Sequence, residues 1–202
     1  MFVILVPVMI AALLALALGG SLRGLARPIA WWPLGVGAIL AELALSRSPA
    51  AHQPLLLAWG HWAWTASLVC VLLVLARNAR VMVGRERATW TVAAVGVALN
   101  LTAVVANGGY MPVAEQAAID TGRATELATR DSYRRDVPVD ERTRLPWLAD
   151  VVPEPDWVPR ASVLSIGDLL LIGGLAGWAF GVTLAGSRQA GLAPRRRQQQ
   201  PV

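Results

Sequence analysis

Apolar positions in this chain fall in long runs broken by short polar stretches, and the runs predict helices. Five of them stand out: 2–18, 29–45, 55–75, 90–106 and 163–185. Each is long enough to cross the hydrocarbon core of a bilayer as a helix, with little tilt for the shortest. The fold class expected is therefore all-α: a five-helix membrane domain over residues 1–187. Between the fourth and fifth runs lies the one long polar segment, 107–160, read as a large external loop. Within it, 114–130 has helix-forming residues, 131–144 is highly charged, and Leu145–Leu148 and Val151–Val152 are apolar patches among prolines. A segment of that kind either lies on the bilayer surface or caps the bundle, or else is a plain extended linker. Residues 188–202 form a basic, Gln-rich cytoplasmic tail expected to be disordered.

Charge gives the runs a direction. All 18 basic residues are arginine. Arg23, Arg27, Arg77, Arg80, Arg85, Arg87, Arg188 and Arg195–Arg197 all fall on one side of a five-span arrangement, and the short 46–54 connection on the other side has one. Arginine-rich short loops stay in the cytoplasm, so the N-terminus is expected outside and the C-terminus inside. The 107–160 segment carries ten acids and seven arginines, and long segments cross largely regardless of charge. No basic residue precedes the first run, so it is read as an uncleaved helix and not as a signal peptide.

Composition supports this reading. Charged residues make up 15% of the chain, well below the roughly one quarter of an average soluble chain. The net charge of +5 does not point to nucleic acid, because the arginines flank apolar runs and form no aromatic-interleaved patch. A single cysteine, Cys70, excludes a disulfide within the chain. Walker, H-E-x-x-H and G-x-S-x-G signatures are missing from the sequence. No cofactor and no metal are expected.

Candidate chemistry gathers at the outer ends of the runs. Asp168 lies in the first turns of the fifth helix, where a carboxylate needs a partner or water. His61, Asn107 and Glu42 fall at similar depth. The other reading of Asp168 is a helix cap shared with Ser165, three residues before it. Asn107-Gly108-Gly109 reads as a helix stop with a tight turn. Gly173, Gly177 and Gly181 repeat every four residues and predict a groove for a neighbouring helix, with Gly167 and Gly174 on nearly the same side and Asp168 on the opposite one. Asn100-Leu101-Thr102 matches a glycosylation sequon but lies inside the membrane, so it is set aside.

Asn107-Gly108-Gly109-Tyr110-Met111-Pro112-Val113, Leu148-Ala149-Asp150 and Ser165-Ile166-Gly167-Asp168, with a first run ending in Gly-Gly-Ser-Leu-Arg, together resemble the bacterial membrane proteins grouped as domain of unknown function 5317. The resemblance implies the bacterial inner membrane. It implies that Asn107, Gly108, Gly109, Met111, Pro112, Ser165, Gly167 and Asp168 belong to one feature, and it carries no activity to transfer. The function expected is non-enzymatic: binding of a protein or lipid partner through the outer face, in contact with the lipid bilayer. The alternatives are a small transporter or ion-binding protein built on the cluster around Asp168, and an enzyme acting on a lipid-linked substrate through Asp168 or Asp150.

Overall fold

The computed structural model describes residues 2–47, 54–128, 135–155, 157–158 and 161–191. Residues 129–134 and the 192–202 part of the tail, with Arg195–Arg197, lie outside the described residues.

Every apolar run forms a helix. They are α1 (Phe2–Ala17), α2 (Trp32–Arg47), α3 (Pro54–Val81), α4 (Gly84–Ala106) and α7 (Ile166–Gly191). Three are long and apolar enough to cross a membrane: Ala58–Val81 of α3, all of α4, and Ile166–Gly186 of α7. The apolar parts of α1 and α2, Ile4–Ala17 and Trp32–Leu45, are shorter. Helix ends differ from the expected ones at the arginine-rich turn. α3 runs on through Arg77 and Arg80, and α4 starts six residues before Trp90, so the expected loop shrinks to Met82–Val83. Arginines are good helix formers, and an apolar run marks where polar side chains are absent, not where hydrogen bonding stops.

α7 is the central helix, packed against α4, α1 and the 3-10 turn Leu22–Ala26. Its seam with α4 is antiparallel and lined by small residues. A Cβ at Gly174 would lie 2.6 Å from Ala93 N and Thr89 O, one at Gly96 2.4 Å from Gly167 O, and one at Gly167 1.9 Å from Asn100 Oδ1. Backbones at this separation touch directly, which only glycine allows. Around the seam, Leu75, Trp90, Ala93, Val97, Leu171, Trp178, Ala179 and Val182 close the main apolar core. Trp90 and Trp178 meet edge to face at 5.3 Å.

The close approach is therefore not at the predicted stripe. Gly173 and Gly181 have no atom within 4 Å of a would-be Cβ, and Gly177 meets only Thr89 Cγ2 at 3.4 Å. At about 100° per residue, Gly173 and Gly177 lie about 100° and about 60° around the helix from Gly174, off the line that the seven-residue step from Gly167 to Gly174 follows to within about 20°. Gly181 is one such step further along that line, where no atom of a neighbouring helix comes within 4 Å of a would-be Cβ.

The 107–160 segment is not a plain linker in its described part. Together with Val163–Leu164, which were expected to open the fifth helix but pair as a strand, it makes a small folded cap with strands β1 (Met111–Val113), β2 (Asp136–Pro138), β3 (Val152–Pro153) and β4 (Val163–Leu164), and short helices α5 (Glu115–Asp120) and α6 (Ala124–Ala128). β1 pairs in parallel with β2, Met111 opposite Asp136. On its other edge Val113 bridges Asp150. β3 and β4 form an antiparallel hairpin that leads into α7. Val113, Ala117, Ala118 and Val163 make a core of the cap's own. Met111 and Leu148 instead pack down on Trp64, Ala103 and Val104, joining cap to helices.

Candidate functional site

α4 ends where its sequence says it must. Gly108 and Gly109 have φ of 70° and 95°, and the Gly109 N–H returns to Val104 O at 2.8 Å. This closes the last turn in the glycine-terminated manner. Gly109 also has to be small, since a Cβ there would meet His61 Cδ2 at 2.6 Å. The Asn107 side chain turns to the cap. Its Nδ2 donates to Ala103 O and to Arg144 O, at 2.8 and 2.9 Å, and its Oδ1 accepts from Arg144 N at 2.8 Å.

Asp168 is held by α7's own first turn and by α4. The Ser165 N–H donates to Asp168 Oδ2 and the Asp168 N–H donates to Ser165 Oγ, both at 2.9 Å. That is a reciprocal cap of the capping-box kind, with Asp in the usual Glu position. The other carboxylate oxygen accepts from Asn100 Nδ2 at 2.8 Å. Ser165 Oγ lies 2.8 Å from Asn100 Oδ1 and 2.9 Å from Asp168 Oδ2, one hydroxyl proton facing two acceptors. Ser165 is fully buried. The cap folds Asp168 back toward α4, so Gly167 and Asp168 both meet Asn100, and the carboxylate is not on the side away from Gly167 and Gly174.

The other expected neighbours of Asp168 are engaged elsewhere. Glu42 Oε1 accepts from Arg135 Nη1 at 2.8 Å, tying α2 to the cap. The His61 ring stacks on Tyr110 at 4.7 Å, and its Nδ1 lies 3.4 Å from the Tyr110 hydroxyl. Asn107 holds Arg144, as above. The partner that sequence reasoning missed is Asn100. It sits in the middle of an apolar run, at the same level as the one carboxylate of the facing helix, and an unpaired amide there is itself a signal.

What joins the two motifs is Asp150. Its N–H donates to Pro112 O, and its C=O accepts from Ala114 N, each at 2.9 Å. Its side chain is buried, and Oδ1 has no hydrogen-bond partner among the described residues. Burial pushes this carboxyl well above the usual range, and the charges of Asp168 and Asp136 push it the same way; Arg135 and Arg123 oppose them. Arg123 is committed to Asp136 at 2.9 Å. The structure thus brings Pro112, Asp150 and Asp168 into one electrostatic neighbourhood beneath the cap. This can hold a proton on Asp150. Among the described residues, no three His, Cys, Asp or Glu side chains converge as a metal site.

Residues 28–180 match a family of unknown function (DUF5317), and the chain belongs to that family. No curated protein and no solved structure matches it.

Proposed function

We propose that this is a five-span protein of the bacterial cytoplasmic membrane, N-terminus outside and C-terminus inside, whose cap binds a protein or lipid partner at the outer face. Arg27 bonds Glu86, and Gly186 packs on Ser21 and Gly24, which gathers the arginine-rich helix ends at one end of the bundle. The cap grows from the other end. That division supports the orientation.

The observation that carries the binding role is Trp157. It lies in the turn of the β3–β4 hairpin, 82% exposed, while the hairpin below it is ordered by Val151 N–H to Leu164 O and Glu154 N–H to Ser162 O. A large ring held out by an ordered hairpin suits contact with a partner surface. A transporter is less well supported, because both oxygens of Asp168 are already bonded. A photo-crosslinking residue at position 157 in native membranes tests the role: protein or lipid adducts are expected, and a probe that reacts with water alone overturns it. A cysteine at Arg142 should react with an impermeant reagent from outside, and one at Arg85 should not. Reversed labelling overturns the orientation.

A further inference from the structure

A groove of about 560 Å³ opens between the first turns of α4 and the last turns of α7, at the arginine-rich end. Its floor includes Gly177 and Gly181, and Phe180 and Leu184 also line it. The glycines of this stripe are exposed, and apart from the contact of Gly177 with Thr89 they give up side chains without gaining a helix neighbour in return. Two charged groups share the groove. Arg85 is exposed and its guanidinium has no partner among the described residues, so it is a donor without an acceptor. Glu86 gives Oε1 to Arg27 and keeps Oε2 buried and unbonded, so it is an acceptor without a donor.

We propose that this groove is a binding site for one phospholipid, with an acyl chain along Gly177 and Gly181, the phosphate on Arg85, and an N–H or O–H of the headgroup on the Glu86 carboxylate, which lines the groove and turns on binding to bring Oε2 out of its buried position. The chemistry selects the occupant. A second copy of the helix would fill the glycine floor but would leave both charges unanswered. A headgroup that couples a phosphate to a donor answers both, which phosphoethanolamine and phosphoglycerol do. Guanidinium is well matched to phosphate oxygens, and the size is that of a small-ligand site. The site is separate from the outer face and needs only that the bundle sits in lipid, not which way it faces.

Native mass spectrometry of the delipidated full chain in mild detergent tests it. The probes are phosphatidylethanolamine, phosphatidylglycerol, phosphatidylcholine and diacylglycerol with the same chains. One phosphatidylethanolamine or phosphatidylglycerol per chain should be retained. Phosphatidylcholine, which lacks the donor, should bind several-fold more weakly, and diacylglycerol should not be retained. Arg85→Gln should weaken phospholipid binding about tenfold, and Gly181→Leu should remove it with Arg85 intact. Thermal unfolding of each variant shows that it is folded; Arg85 is exposed and Gly181 has open space, so both should match the parent. Equal retention of all four lipids, indifference to both substitutions, or a lipid-free dimer abolished by Gly181→Leu would each overturn the proposal.

Discussion

Asn78 and Asn107 stand at opposite ends of the bundle and make the same clamp. Asn78 Oδ1 accepts from Ala30 N at 2.9 Å and its Nδ2 donates to Ala30 O at 3.0 Å. Asn107 does this to Arg144. In both cases the next residue, Trp31 or Leu145, has a left-handed backbone, with φ of 59° and 54°, and a proline follows within two residues. Bulky residues pay about 1–2 kcal/mol for that conformation, so the clamp is what fixes the chain before each turn. The two differ in burial: Asn78 is fully buried, and Asn107 is partly exposed.

That difference sets the first prediction. Asn78→Ala strands the Ala30 N–H and C=O in a part-buried place and should lower stability by about 2 kcal/mol or more. Asn107→Ala should cost about 1 kcal/mol, because water can replace it. Its local effect should be larger: trypsin should cut at Arg142 or Arg144 faster than in the parent. Leu145→Gly should relieve the turn and raise the melting temperature. Equal losses for the two asparagines in detergent melts would show that burial does not govern the clamp.

Asn100 and Asp168 give the second. If the cap and the inter-helix bond act as one unit, the costs of Asn100→Ala and Asp168→Ala will not add. A double-mutant cycle on thermal stability should return a coupling of about 1 kcal/mol or more. Asp168→Asn should also destabilise, since an amide turns a donor toward the Ser165 N–H or Asn100 Nδ2. Additive costs would mean that the 2.8 Å contact contributes nothing of its own.

Asp150 gives a pH dependence of definite sign. Burial raises its folded-state pKa, so the folded chain holds the proton more tightly than the unfolded one. Its contribution is complete below the unfolded value, about 3.9, and is lost as pH rises toward the folded one. Asp150→Asn keeps a neutral group of the same shape. The melting temperature of this variant minus that of the parent should therefore increase as pH goes from 4 toward 8. A flat difference would mean that Asp150 is not held neutral in the folded chain.

The helices were legible because apolar runs of this length predict helices directly. The reciprocal cap of Ser165 and Asp168 was legible too, because capping is local and depends on three-residue spacing. The clamps were not. Asn78 lies three residues beyond the end of an apolar run, where it reads as a helix end, and nothing near Ala30 marks it as the partner. The cap was equally hidden: strands of two or three residues are too short for alternation to show, and β1 is buried along its whole length. Asp150 stands out in the Leu148-Ala149-Asp150 motif, but nothing in the sequence sets its surroundings apart from those of the other nine acids of the polar segment. Only the pairing of Val113 with Asp150 puts it under the cap.

Glycine positions separate a sequence rule from the observed seam. Gly173, Gly177 and Gly181 satisfy the small-xxx-small pattern, yet α4 packs on Gly167 and Gly174. Gly174→Ala should cost several kcal/mol: its Cβ would sit 2.6 Å from the backbone of Ala93 and Thr89, and backbone cannot swing aside as a side chain can. Gly173→Ala meets nothing within 4 Å and removes a flexible residue from a helix interior, so it should be neutral or stabilising by up to about 1 kcal/mol. The two substitutions are adjacent and chemically identical, so lipid, detergent and helix propensity cancel between them. Thermal unfolding of the pair in one detergent is decisive. If Gly173→Ala is the more damaging, the packing face of α7 is the four-residue stripe after all, and Asn100 and Asp168 face each other across some other arrangement.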